Sequence, residues 1–175
     1  MNIAAILFDL GDVIMQEETE VKGAEGNTQS ADLVDGMGDA LRICKARGYK
    51  LALVADTRPR TAWNVLHQYD LYAIFDAFAI SEQVGVEKPD PRIFIAALNA
   101  LAVPSQEYGQ VLMVGNNPAR DIRGANALGL ISVWLHWNER YSPGSEIEDR
   151  PAHEVHNARE LLTLIANIEE RTIAV

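Results

Sequence analysis

Asp9, Lys88 and Asp121 are the side chains in this sequence whose type and placement could do chemistry, with Asp12, Asp56 and Asn116 beside them. Asp9 ends the apolar run Ile3-Ala4-Ala5-Ile6-Leu7-Phe8, and Asp56 ends Lys50-Leu51-Ala52-Leu53-Val54-Ala55. Asn116 and Asp121 follow Val111-Leu112-Met113-Val114-Gly115, and Lys88 stands just ahead of Pro89-Asp90-Pro91. An apolar run that stops at a carboxylate reads as a buried strand delivering that group to a sheet edge. There a carboxylate can cap a loop, hold a cation or attack an electrophile. Asp9 is the candidate nucleophile. A lysine or a metal ion beside it supplies the positive centre that anionic substrates need.

The elements that position these residues alternate. After the first strand, Met15 to Ser30 is polar, without a clear period, and reads as a loop or small flap; its Glu17, Glu18 and Glu20 read as a solvated face. Helical spacing of Leu33, Val34, Met37, Leu41 and Cys44 predicts a helix from Ala31 to about Arg47, stopped at Gly48. A second strand, 50–55, leads through Thr57-Arg58-Pro59 into a helix carrying Trp63, Val65 and Leu66. A third strand spans Phe75 to Ile80, and Ser81 to Val86 is a loop. A helix follows from Pro91 to about Leu101, with Asp90 as N-cap. The fourth strand is 110–115, the fifth Leu130–Leu135, and an edge strand near Val155 precedes a helix from Ala158 to about Glu170. Strands alternating with helices predict an α/β fold: a three-layer, Rossmann-like arrangement around a mainly parallel sheet of five or six strands. Ligands of such sheets bind beyond the carboxyl ends of the strands. Asp9–Asp12, Ala55–Thr57, Lys88 and Asn116–Asp121 all converge there.

The 175 residues are read as one domain, 1–175, with a 48% hydrophobic composition sufficient for a core. The single cysteine, Cys44, precludes an intramolecular disulfide and falls on the helix's apolar face. The N-terminal apolar run is too short for a membrane span and lacks a basic leader, so a cytoplasmic location is expected. A formal charge of −10 argues against nucleic-acid or anionic-membrane surfaces. His153 and His156, three apart without further Cys or His at ligand spacing, read as surface histidines. Trp134 and Trp137 pack at the end of the fifth strand, where one could wall the site. The oligomeric state is not legible.

Asp9-Leu10-Gly11-Asp12-Val13, the strand end at Ala55-Asp56, Lys88-Pro89-Asp90-Pro91, and Val114-Gly115-Asn116-Asn117 with Asp121-Ile122-Arg123-Gly124-Ala125 resemble, in order, the four motifs of the haloacid dehalogenase (HAD) superfamily of hydrolases. The resemblance covers nearly the whole chain. It implies that Asp9 attacks phosphorus and forms an aspartyl-phosphate that water then hydrolyses. It implies Mg²⁺ held by Asp9, the main-chain oxygen of Gly11, Asn116 and Asp121, with Lys88 pairing both Asp9 and the phosphoryl oxygens. Ala55, Asp56 and Thr57 would bind substrate, a phosphorylated small molecule or a phosphoprotein.

Three positions depart from the family pattern. Gly11 stands where phosphatase members carry a second Asp that protonates the leaving oxygen, a contribution of roughly 10²–10⁴-fold. Asp12 is adjacent, but one residue along the backbone turns a side chain in another direction. Ala55 replaces a Ser or Thr, and Asn116 an Asp, which lowers the charge on the metal. Between Asp9 and Ala55 lie 45 residues, too few for a large cap domain beside the crossover helix. Three functions follow in order: a Mg²⁺-dependent phosphatase or phosphotransferase, a catalytically degenerate protein binding a phosphorylated ligand or protein partner, and, distantly, a dehalogenase.

Overall fold

The computed structural model describes residues 2–144 and 146–170. All four side chains of β1 (Ala5–Phe8) are buried, as in a strand covered on both faces. A short hairpin follows, β2 (Val21–Lys22) and β3 (Thr28–Ser30), then α1 (Met37–Ala46), β4 (Leu51–Ala55) and α2 (Pro59–Gln68). The chain continues through β5 (Ala77–Ile80), α3 (Ser81–Val84), α4 (Pro91–Ala100), β6 (Val111–Gly115), α5 (Arg123–Ala127), β7 (Ile131–Leu135), β8 (His153–Val155) and α6 (Ala158–Glu170). Six strands form one sheet in the order β5-β4-β1-β6-β7-β8, every neighbouring pair parallel. The expected Rossmann-like α/β architecture is therefore present, with the larger of the two strand numbers.

Strand alternation divides the core. Ile6, Phe8, Leu51 and Leu53 face Met37, Leu41 and Cys44 of α1, Val65 and Leu66 of α2, and Leu161 and Ile165 of α6. Ala5, Leu7, Ala52 and Val54 face Ile93, Phe94, Ala97 and Leu98 of α4 and Ala125 of α5. Burial of these aliphatic and aromatic side chains, at roughly 1.5–3 kcal/mol each, is the main force holding both helical layers to the sheet. No helix among the described residues is long and apolar enough to cross a membrane.

Several boundaries differ from the sequence reading for identifiable reasons. The first helix starts at Met37 rather than Ala31, because Gly36 takes φ 72°, outside the helical region. Leu33 and Val34 instead run extended: Met15 bridges Leu33, and the Val34 N–H donates to Ile14 O at 2.9 Å. Helical spacing there coincided with residues that hold down the flap. The polar stretch 15–30 forms the antiparallel β2–β3 hairpin, separate from the main sheet. It rests on α2, where Thr28 N donates to Thr61 Oγ1 at 3.1 Å and Asn64 Nδ2 donates to Thr28 O at 2.8 Å. β5 begins at Ala77 because Tyr72–Ile74 closes a 3₁₀ turn first. Ser81–Val84 is a short helix, and a π-turn over Pro118–Ile122 precedes α5.

Candidate active site

The ends of β1, β4 and β6 bring the chemistry together. The Asp9 N–H donates to Val114 O at 3.0 Å, which fixes the residue where β1 runs out beside β6. Lys88 reaches it from the loop ahead of α4. The ammonium donates to Asp9 Oδ1 at 2.6 Å and to Val54 O at 3.1 Å, and it pairs with Asp121 Oδ1 at 2.7 Å. It is only 4% exposed. Although burial disfavours its charge, Asp121, Asp9 and Asp56 raise the Lys88 pKa above the ordinary lysine range. That neighbourhood favours the charged ammonium.

Asp121 is fully buried. It pairs with neither flanking arginine: Arg123 forms a two-pronged ion pair with Asp149, and Arg120 turns to Asp56 at 3.0 Å. The second Asp121 oxygen accepts the Asn117 N–H at 2.9 Å. Gly115 makes this fold-back possible, because a Cβ there would overlap the Asp121 side chain. Asp56, whose free charge would repel phosphate, has both oxygens occupied, one by the Lys88 N–H at 2.9 Å and the other by Arg120. Ala55, Asp56 and Thr57 all line the same pocket as Asp9.

That pocket encloses about 280 Å³ and also takes in Gly11, Asn116, Asn117, Arg120 and Tyr141. It opens into a broader groove of about 690 Å³ between the hairpin and the α2–α3 side, lined by Lys22, Thr28, Arg58, Thr61, Ser81 and Glu82. Glu20, Lys22, Asp56 and Thr57 belong to both. The hairpin thus forms one wall of the entrance.

Asp12 lies elsewhere. It is fully buried at φ 48° and does not line the pocket. One oxygen accepts the Glu17 N–H at 2.9 Å and the other pairs with Arg140, so its carboxylate fastens the flap rather than meeting Asp9. Glu17, read from sequence as part of a solvated face, lines the pocket instead. A Cβ added at residue 11 would overlap Glu17 Oε1: the side chain that Gly11 lacks is replaced in space by the Glu17 carboxylate. Its Oε2 pairs with Arg140 at 3.2 Å. Burial first, and then the neighbouring Asp12 charge, raise the Glu17 carboxyl above the usual glutamate range, against the opposing pull of Arg140. Arg120, Arg140 and Glu17 are the site residues that sequence reasoning missed. Their approach depends on loops meeting across the sheet edge, and their only sequence signal was charge in a polar stretch.

The donor set fits a hard divalent cation. Asp9, the Gly11 carbonyl, Asn116 and Asp121 offer oxygen donors around one polar pocket. Asp9 and Asp121 share a single ammonium. Burial, opposed by Lys88 and reinforced by Asp121, pushes the Asp9 carboxyl up to about 7, as expected of a site short of positive charge. Among the described residues the buried Asn116 amide nitrogen has no hydrogen-bond partner; because an N–H cannot ligate a cation, the ligand Asn116 offers is its amide oxygen. Both tryptophans brace the loops concerned: Trp134 Nε1 donates to Asn116 O at 2.8 Å and Trp137 Nε1 to Asp12 O at 2.7 Å.

Residues 9–129 match the family model of haloacid dehalogenase-like hydrolases. Among curated relatives, glyceraldehyde 3-phosphate phosphatase of Pyrococcus abyssi is 32% identical over 143 residues, 81% of this chain and 59% of that protein. Phosphoserine phosphatase of Thermus thermophilus is 40% identical over 95 residues, 54% of this chain and 37% of that protein. The chain therefore spans about half the length of such relatives. The crystal structure of a HAD phosphatase from Thermococcus onnurineus superposes with a TM-score of 0.75 at 19% identity, covering 94% of this chain and 98% of that one.

Proposed function

Because the chain belongs to the haloacid dehalogenase-like hydrolase family, we propose that it is a phosphatase that hydrolyses small phosphomonoesters through an aspartyl-phosphate on Asp9. The observation that carries this reading is the bridge of one buried ammonium between two carboxylates at the strand ends, Asp9 on one side and Asp121 on the other. Lys88 holds Asp9 Oδ1, so Oδ2 is the oxygen left to attack phosphorus. The P–Oδ2 bond forms as the bond to the leaving oxygen breaks, and Lys88 offsets charge on the transferring group. Mg²⁺ would be held by Asp9, the Gly11 carbonyl, Asn116 and Asp121, and would neutralise phosphoryl charge.

The leaving oxygen needs a proton. Of the carboxylates lining the pocket, Asp9 and Asp121 are engaged by Lys88, Asp56 by Arg120 and the Lys88 N–H, and Glu20 by Thr28 and Lys22. Glu17 pairs with Arg140 through Oε2 alone, its Oε1 stands over Gly11 and its pKa is raised, which suits it to give that proton and afterwards to accept one from the hydrolytic water. Names of relatives that act on three-carbon phosphates agree with a pocket of about 280 Å³, large enough for a phosphoryl group and a short chain. The adjoining groove would hold a longer substituent. Gly11 and Ala55 favour the second reading, a catalytically degenerate binder of phosphorylated ligands.

A Mg²⁺-dependent screen of aryl, acyl and alkyl phosphates, with Asp9→Asn as control, separates the two. Turnover that vanishes in Asp9→Asn supports the covalent phosphatase. Phosphate binding without turnover in the wild type favours the binder, and turnover that survives Asp9→Asn discards the covalent route.

A further inference from the structure

His136, Glu154 and His156 converge at the sheet edge beyond the pocket. His136 follows β7, and its N–H donates to Val155 O at 2.8 Å, extending the β7–β8 pairing by one rung. Glu154 lies within β8, and His156 begins the turn into α6. One donor atom from each residue lies within 4.8 Å of the other two. Glu154 Oε1 stands 2.9 Å from His136 Nδ1 and 3.4 Å from His156 Nε2. Donor atoms about 2.1 Å from a tetrahedral zinc stand about 3.4 Å from one another. The 3.4 Å separation matches that of a coordination sphere, and the 2.9 Å hydrogen bond would open by about 0.5 Å to admit an ion.

We propose that these residues form a binding site for a soft divalent cation of the zinc type, separate from the hard-cation pocket at Asp9. Two imidazoles and one carboxylate select Zn²⁺, Cu²⁺ or Ni²⁺ over Mg²⁺, which takes oxygen donors and sheds its water reluctantly. The surroundings orient the donors. His156 Nδ1 meets Glu160 Oε2 at 3.1 Å while its Nε2 faces Glu154, an arrangement in which Nδ1–H donates to a carboxylate and leaves the Nε2 lone pair free to ligate. Glu160 is itself fixed by the His156 N–H at 2.9 Å and by Asn157 Nδ2 at 3.0 Å. His136 stacks on Trp134 with ring centroids 4.0 Å apart and planes at 9°. His136 Nδ1 hydrogen-bonds Glu154 Oε1 and His156 Nε2 stands 3.4 Å from the same oxygen; ring N–H groups satisfy that carboxylate when the site is empty, and a bound metal would displace those protons. A fourth position opens to solvent, since His156 is 58% exposed and Glu154 42%.

The ligands come from the end of β7, from β8 and from the start of α6. A bound ion therefore cross-links a three-residue edge strand to its neighbours. It would also steady Trp134, whose indole holds the Asn116 carbonyl at the pocket. The test uses untagged protein in saturating Mg²⁺, titrated with zinc chloride alone and followed by calorimetry and thermal unfolding. The expected result is a single zinc per chain and a melting temperature raised by several degrees. His156→Ala should abolish that shift, and Glu160→Gln should weaken zinc by about tenfold or more. Neither substitution should alter Mg²⁺-supported phosphatase turnover. Anomalous diffraction at the zinc edge places the ion. Density away from His136, Glu154 and His156, or zinc affinity equal in the wild type and His156→Ala, overturns the proposal, as does the absence of any zinc-induced shift.

Discussion

At the scale of single residues, the site is governed by which carboxylate owns which cation. Asp9 and Asp121 divide one ammonium, and burial raises the Asp9 carboxyl to about 7. A carboxyl whose pKa is higher folded than unfolded binds more protons in the native state between those two values, so native stability falls as pH rises through them. In metal-free protein, stability between pH 5 and pH 8 should therefore fall more steeply in the wild type than in Asp9→Asn, by on the order of a few kcal/mol. Denaturant titrations at the two pH values measure the difference, and equal slopes would show that Asp9 is already satisfied. Glu17 makes a second prediction. Glu17→Gln should slow alkyl phosphates by roughly 10²-fold or more and aryl phosphates, whose oxygens leave without help, much less. Because a side chain at residue 11 would enter the space of the Glu17 carboxylate, Gly11→Asp in a Glu17→Ala background, where that space is empty, should restore part of what Glu17→Ala alone loses. An equal drop for both ester classes would mean that Glu17 only shapes the pocket. The convergence of Asp9, Lys88 and Asp121 was legible from sequence because Asp9 follows the end of β1, Lys88 precedes the Pro-Asp-Pro start of α4, and Asp121 lies in the turn after β6. Glu17 and Arg140 were not, because 123 positions separate Glu17 from its cation and nothing local marks the meeting.

The informative element is the β2–β3 hairpin. Its strands are two and three residues long and pair with no strand of the main sheet, too little to persist alone. It is held by α2 through Thr61 and Asn64, and by Arg58 and Arg60, which reach the Glu25 carbonyl and carboxylate. Asn64→Ala removes one of these bonds, worth about 1 kcal/mol. Amide exchange should accelerate in the hairpin while β1, β4 and β6 keep their protection, and KM should rise more than kcat falls, because the hairpin walls the groove. Unchanged exchange in the hairpin would assign its order to another contact. The hairpin was invisible in sequence: a polar run without alternation reads as a loop, and its pairing is stabilised from outside. The flanking error, a helix begun six residues early, has the same root. Leu33 and Val34 are apolar because they pack against the core in an extended segment, not because they lie on a helix. By contrast the buried strands and the apolar faces of α2, α4 and α6 followed the sequence pattern, since periodic burial against the sheet is what creates that pattern.

For the molecule as a whole, a formal charge of −10 surrounds a pocket proposed to attract anions. Lys88, Arg120 and Arg140 act at short range, whereas the surface repels from further away, and salt screens the longer interaction first. The rate constant kcat/KM for a phosphomonoester should therefore rise about twofold or more as ionic strength goes from ~0.01 M to ~0.1 M, the opposite of a steered encounter. Stopped assays at constant free Mg²⁺ measure it; a falling rate would mean that the pocket's field reaches past the acidic shell. The protein also carries an optical reporter of this same region. Of its three tryptophans, Trp134 and Trp137 donate their indole N–H groups to the two loops that carry Asn116 and Asp12, while Trp63 packs edge-on against Tyr72 and Phe78 under the opposite flank of the sheet. Replacing Trp63 by Phe would leave an emission spectrum drawn from the pocket's own braces. Occupancy of the site could then be followed by light in the unlabelled protein, without waiting for a product to form.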